Sequence, residues 1–145
     1  MTRLAGPEDT AEVTRLVSAL LVELGGAALD PKRAAKTWAR LCADPALGFA
    51  VLGGSGPRSD SVCTVSFAHA LRANGRYAIV QEMYVTPDLR STGLGRETLA
   101  LALRTARERG CPFVELGTPF QGERQIAFYQ RSGFVNIGAR LRCPL

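Results

Sequence analysis

Two glycines and two arginines between positions 85 and 96 make up the most chemically telling stretch of this sequence. It reads Val85-Thr86-Pro87-Asp88-Leu89-Arg90-Ser91-Thr92-Gly93-Leu94-Gly95-Arg96, and it joins a run with strand character to a long run with helical periodicity. The first N–H groups of a helix lack intrahelical partners and sit at the positive end of the macrodipole, so such a junction suits an anion. Gly93 and Gly95 have no Cβ to hold a pyrophosphate away, and Arg90 and Arg96 add charge-assisted donors. The bare pattern R-x-x-G-x-G is short, and it equally fits a glycine-bearing turn that only starts a helix.

Other reactive residue types give weaker patterns. Cys42, Cys63, Cys111 and Cys143 stand far apart with no C-x-x-C pair and a single histidine, His69, which argues against a zinc site and against any bound metal. Cys111 has no identifiable histidine partner, so a nucleophilic thiol is not expected. His69 falls in the apolar segment 67–71, where a structural role is expected, and Trp38 and Phe49 read as core.

The elements that must position the loop follow from periodicity. Thr10 is placed to cap a helix in which Val13, Leu16, Val17, Leu20 and Leu24 recur at three- and four-residue steps, ended by Gly25 and Gly26. A second helix opens with Pro31 in its first turn, carries Ala34, Trp38, Leu41 and Cys42 on one face, and stops before Pro45. Residues 49–52, 61–71 and 77–85 are β-rich, with the turn Ala73-Asn74-Gly75-Arg76 between the last two, and predict an antiparallel meander. A helix over 94–109 ends at Gly110, a short strand follows at 113–116, another helix runs over about 122–132, and residues 134–143 form a last extended segment. With a first strand at 3–5 the order is βααβββαβαβ, an α/β (mixed α+β) chain whose central, mostly antiparallel sheet is flanked by helices.

At 145 residues the chain fits one domain over residues 1–145, and 46% hydrophobic with 21% charged residues lies in the ordinary globular range. The net charge of +5 favours an anionic partner, yet only Lys32 and Lys36 are lysines and the arginines are scattered, which weakens a polybasic-tail reading. Met1-Thr2-Arg3-Leu4 is followed by Pro7, Glu8 and Asp9 without an apolar signal core, and no apolar run reaches the roughly 18 residues of a membrane span. A reducing, cytoplasmic setting with no membrane partner is the expectation. No RNP-like aromatic motif, zinc-finger spacing or basic helix supports a nucleic-acid partner.

Val85 to Gly95 matches V-x-P-x-x-R-x-x-G-x-G, and in this the sequence resembles the GNAT superfamily of N-acetyltransferases. The opening residues before an amphipathic helix, the three-strand meander and Ala127-Phe128-Tyr129-Gln130-Arg131-Ser132-Gly133-Phe134 fall in the family's order, so the likeness spans nearly the whole chain. It implies that the strand ending at Val85 splays from the strand at 113–116 and that the pantetheine arm of acetyl-CoA lies in the cleft. Main-chain groups of Met83, Tyr84 and Val85 would hold that arm; Ser91, Thr92, Gly93, Leu94, Gly95 and Arg96 would meet the pyrophosphate; Phe128 and Tyr129 would flank the thioester. Many members carry Asn where this chain has Gly122, which removes one side-chain contact and leaves the loop 118–123 as the least regular part expected.

Direct transfer to an amine in a ternary complex is the reaction this resemblance implies, and an amine near pKa 10 must lose a proton before it attacks. Glu82, on the strand beside the cleft and on the same strand face as Tyr84, resembles the acidic residue many members place there; Glu115 is the second candidate, and a solvated carboxylate is the competing role. Tyr129 is the candidate donor to the departing thiolate, or else a core aromatic of its helix. A non-catalytic acyl-CoA-binding module of the same fold is the alternative, since fold alone does not establish turnover. The amine is not encoded in any recognisable motif, and a homodimer is the assembly that two-fold symmetry and a short final strand favour.

Overall fold

A computed structural model of the chain describes residues 1–119 and 122–145. The elements are β1 (Thr2–Leu4), α1 (Thr10–Glu23), α2 (Pro31–Ala43), β2 (Gly48–Gly53), β3 (Ser61–Ala70), β4 (Gly75–Val85), α3 (Leu94–Glu108), β5 (Val114–Leu116) and α4 (Glu123–Arg131). They build a five-stranded sheet in the order β1-β2-β3-β4-β5, antiparallel except for the parallel pair β4 and β5. A parallel neighbour requires a crossover, and α3 supplies it.

Helices cover both faces. Leu16, Val17 and Leu20 of α1 and Trp38 of α2 pack with Leu52, Val62 and Tyr84 on one side, while Leu99, Ala102 and Ala106 of α3 pack with Val51, Cys63, Val65 and Val80 on the other. Every residue of β2 is buried, as expected of a strand covered on both faces. Asp30 caps α2, accepting the Arg33 N–H at 2.8 Å ahead of Pro31. Thr10, expected as a cap, is instead the first residue of α1, and its hydroxyl donates to the Pro7 carbonyl at 2.9 Å. Asp9 before it turns away to accept from the Arg3 guanidinium at 2.6 and 2.7 Å and from the Gly6 N–H at 2.8 Å.

An irregularity between β3 and β4 re-aims the side chains near the end of β4. The register runs Thr64↔Glu82 and then Val65↔Val80, which leaves Gln81 as an extra residue in β4. A bulge of this kind reverses which side chains face which layer. Ala78 and Val80 point toward α3 before it, Met83 does so after it, and Tyr84 joins the α1 side.

The expected last strand over 134–143 is not formed: residues 134–145 carry no regular structure, and Val135, Ile137 and Leu141 are exposed. The reason is local. Asn136 Oδ1 accepts the Gly138 N–H at 2.9 Å, Gly138 has φ +137°, and this side-chain turn competes with an extended ladder. Farther on, Arg140 lies so close over Gly117 that a Cβ there would fall 2.5 Å from its Cδ.

Candidate functional site

β4 continues to Val85, but β5 pairs only with Ala78, Ile79 and Val80, so past Val80 the two strands part. A cleft of about 70 Å³ opens at the fork, lined by Val80, Gln81 and Met83 of β4, Leu116 of β5 with Gly117, Thr118 and Pro119 after it, Tyr129 of α4, and Leu20 and Leu24 from the end of α1. That is room for several waters or one small acyl group by the same measure. Of the loop 118–123, Thr118 and Pro119 line one side; Phe120 and Gln121 lie outside the described residues.

The other end of the site is the start of α3. Gly93 adopts φ +97°, a left-handed conformation that favours glycine, and turns the chain into the helix. Gly95 is small for a different reason, since a Cβ there would come within 3.2 Å of Val85 Cγ2 and 3.5 Å of the Phe128 ring. The first intrahelical bond runs from the Glu97 N–H to the Gly93 carbonyl at 3.0 Å, so the N–H groups of Leu94, Gly95 and Arg96 precede it and point out of the helix. Arg96 is exposed at this end, and Arg124 from the first turn of α4 bonds the Ser91 hydroxyl. Ser91 itself has φ +65°, and Thr92 donates to the Leu89 carbonyl at 2.7 Å. These groups form an open, positively polarised cradle.

Arg90 is engaged within the chain. Its Nε donates to the Val85 carbonyl at 3.0 Å, its Nη2 to Glu23 at 2.6 Å, and its guanidinium stands 5.5 Å from the Tyr84 ring centre. It ties the loop to the ends of β4 and α1, and so fixes the cradle more than it furnishes a free charge.

Tyr129 lines the cleft, with Phe128 at 5.1 Å and Phe134 at 5.8 Å between ring centres in edge-on contact. Burial pushes its phenol up to about 12, with a smaller contribution from Cys63, so at neutral pH it keeps its proton. Glu82 is half-buried beside Thr64, whose hydroxyl donates to its carboxylate and accepts its backbone N–H at 3.1 Å. The bulge puts Glu82 on the Tyr84 side of β4, and it does not line the cleft. Glu115 forms a two-pronged ion pair with Arg72 at 2.7 and 3.0 Å, and hydrogen bonding by that guanidinium holds its carboxyl below the usual range. A carboxylate so engaged is a poor base.

His69 is exposed and pairs with Arg76, six residues before Glu82 on β4, or roughly 20 Å along the strand. Trp38 is core, donating to the Gly6 carbonyl at 3.1 Å. Cys63 is fully buried and its thiol is pushed up to about 12 by burial, which makes it inert.

The fold thus brings Met83 and Tyr129 to one cleft, sets Gly95 against Val85 and Phe128 beside it, and places Gly93, Leu94 and Arg96 at the start of α3. Sequence reasoning missed Arg124, Gln81 and the pair Leu20 and Leu24. Arg124 carried a signal, a basic residue in the first turn of the helix that bears Tyr129. Gln81 carried none, because a bulge is a property of two strands in register and cannot be read from one.

Known proteins share this outline. The sequence profile of the acetyltransferase (GNAT) family matches residues 23–134. An uncharacterized N-acetyltransferase of Methanocaldococcus jannaschii is 37% identical over 57 residues, which is 39% of this chain and 25% of that protein's length. In structure, an integron cassette protein from the mobile metagenome of Cole Harbour Salt Marsh superposes with a TM-score of 0.86 at 24% identity, over 99% of this chain and 89% of that one. A protein of Clostridium acetobutylicum, described as a predicted acetyltransferase and solved with acetyl-CoA, gives a TM-score of 0.84 at 17% identity, over 99% and 95% of the two chains. At these identities the likeness in structure is one of fold. No helix among the described residues is long and apolar enough to cross a membrane.

Proposed function

The chain belongs to the acetyltransferase (GNAT) family, and on that premise we propose that it transfers an acetyl group from acetyl-CoA to an amine by direct attack. The observation that carries the reading is the fork between β4 and β5, with an anion cradle at one end and a protonated, half-buried phenol at the other. Leu94, Gly95 and Arg96 offer N–H donors to the pyrophosphate, with Arg96 and Arg124 as side-chain cations, and the unpaired edge of β4 at Met83 and Val85 suits the amides of a pantetheine arm.

The transfer breaks the thioester C–S bond and forms an amide C–N bond, while the amine loses a proton and sulfur gains one. Tyr129 donates a hydrogen bond to the sulfur as charge develops there. A phenol near 12 is a weaker acid than a thiol near 8.5, so its main work is to stabilise the thiolate, with complete proton transfer waiting on the proton the amine gives up. Glu82, oriented by Thr64, takes the amine's proton through a water that bridges from the α1 side. A homodimer and a cytoplasmic location belong to the same proposal; sedimentation and cell fractionation test them.

The test is isothermal titration with acetyl-CoA, followed by an amine screen for CoA release. Arg96→Glu with Arg124→Glu, both at exposed positions, is expected to weaken binding about tenfold or more with an unchanged unfolding midpoint. Unaltered affinity in the double variant overturns the cradle. One observation favours the binding-only reading, namely that Glu82 does not line the cleft. Tight acetyl-CoA binding without turnover across a broad amine panel decides for it.

A further inference from the structure

A second cavity lies at the outer edge of the sheet, away from the fork. β1 pairs only with Val51, Leu52 and Gly53 of β2, and the Ala5 N–H reaches the Ala50 carbonyl at 2.9 Å, so among the described residues no strand flanks the outer edge of β2 at Gly48 and Phe49. A cavity of about 110 Å³ opens there, with Leu4, Trp38, Leu41, Cys42 and Phe49 among its walls and Arg109 at the end of α3 as its charged member.

Arg109 Nη1 is buried and has no hydrogen-bond partner among the described residues. Its guanidinium carbon stands over the Phe49 ring at 5.0 Å from the ring centre and over that of Phe67 at 5.9 Å, cation–π contacts that satisfy no donor. Arg76 stands 4.3 Å from the Phe67 ring centre and donates to the Arg109 carbonyl at 2.6 Å. Among the described residues neither arginine forms an ion pair. Two cations therefore share one corner without a carboxylate, and one buries a donor with nothing to receive it.

Nη1 is closed to a ligand, but Arg109 lines the cavity without an ion pair, and the remaining donors of a guanidinium form a planar edge matched to a carboxylate. At about 110 Å³ the cavity is smaller than the apolar hole of about 150 Å³ that accepts benzene, so its occupant has a body the size of a short branched chain.

We propose that this cavity is a binding site for a small apolar carboxylate, with the carboxylate on Arg109 and the body between Trp38, Leu41 and Phe49. The site is separate from the fork and does not depend on the transfer reaction.

Trp38 is the only tryptophan in the chain, so its fluorescence reports the site directly. Titration of the whole protein with 2-methylpropanoate and with 3-methylbutanoate, at constant ionic strength, is expected to give a saturable change at millimolar concentration or below. The neutral amides of the same acids are expected to bind about tenfold or more weakly, as loss of a charge-assisted hydrogen bond implies. Arg109→Gln should weaken the acids by a similar factor and leave the amides unchanged. Should that variant not fold, Cys42→Phe, which fills the cavity and leaves Arg109 in place, should abolish the response. Absence of a saturable change in the wild type, equal affinity for acids and amides, or an unaltered response in the folded variants overturns the proposal.

Discussion

Tyr129 is where burial bears on the proposed chemistry at a single side chain. With its phenol raised from 10.0 to about 12, it stays protonated across the working range, so the rate should show no loss from its ionisation on the alkaline side until well past neutrality. Tyr129→Phe is expected to lower kcat about a hundredfold, with the KM for acetyl-CoA within about twofold, measured by CoA release. The same shift predicts a stability effect. Between pH 10.0 and about 12 the folded state holds a proton that the unfolded state has released, so stability falls as pH rises through that window. Urea unfolding should show the wild type losing about 2–3 kcal/mol relative to Tyr129→Phe across it. Cys63 makes a simpler case: native protein should resist thiol labelling there while exposed Cys143 reacts, and mass mapping of the labelled peptides checks it. Of these residues, Tyr129 was legible because F-Y-x-x-x-G-F is a dense local pattern. The contact of Arg90 with Glu23 was not legible, since its partner lies 67 positions away and no local pattern predicts it.

Among the elements, amphipathic helices and the β-rich meander were legible because their periods of 3.6 and 2 are local. Long-range register and side-chain turns were not: the bulge at Gln81 and the Asn136–Gly138 turn that dissolves the last strand both depend on competition between backbone partners. The loop into α3 falls between these extremes, since its two glycines are visible but their separate reasons are not. Gly93→Ala should cost about 1–2 kcal/mol through its positive φ alone, with open space around the new Cβ. Gly95→Val should instead press on Val85 and Phe128, shift the helix start off β4 and raise the KM for acetyl-CoA more than it lowers stability. Urea midpoints and KM values measured on both variants separate strain from close approach; equal effects on both quantities would contradict the assignment.

Across the whole molecule, three carboxylates hold distant parts together, and each is kept below its ordinary acidity range by hydrogen-bonded arginine. Asp9 joins the turn before α1 to β1 through Arg3 and the Gly6 N–H. Glu12 accepts from Arg15 and from the Ser59 N–H at 2.6 Å, binding α1 to the loop after β2. Glu115 binds β5 to Arg72 at the hairpin between β3 and β4. For each of them the unfolded chain takes up protons first, at 3.8 for Asp9 and 4.5 for the two glutamates, so the stabilisation present above those values is lost as pH falls through the lower folded values. A net charge of +5 at neutral pH grows as carboxylates are neutralised, and self-repulsion adds to the loss. The urea midpoint should therefore be nearly flat between about pH 5 and pH 9 and fall as the pH drops below about 4.5. The three do not weigh equally. Arg72 is more than half exposed, and its pair is screened, so Glu115→Gln should change the curve little. Asp9 is 8% exposed at its side chain and accepts three hydrogen bonds, so Asp9→Asn should cost about 2 kcal/mol at neutral pH and visibly flatten the acid limb. A curve whose acid limb is unchanged in Asp9→Asn would place the linkage elsewhere in the sheet.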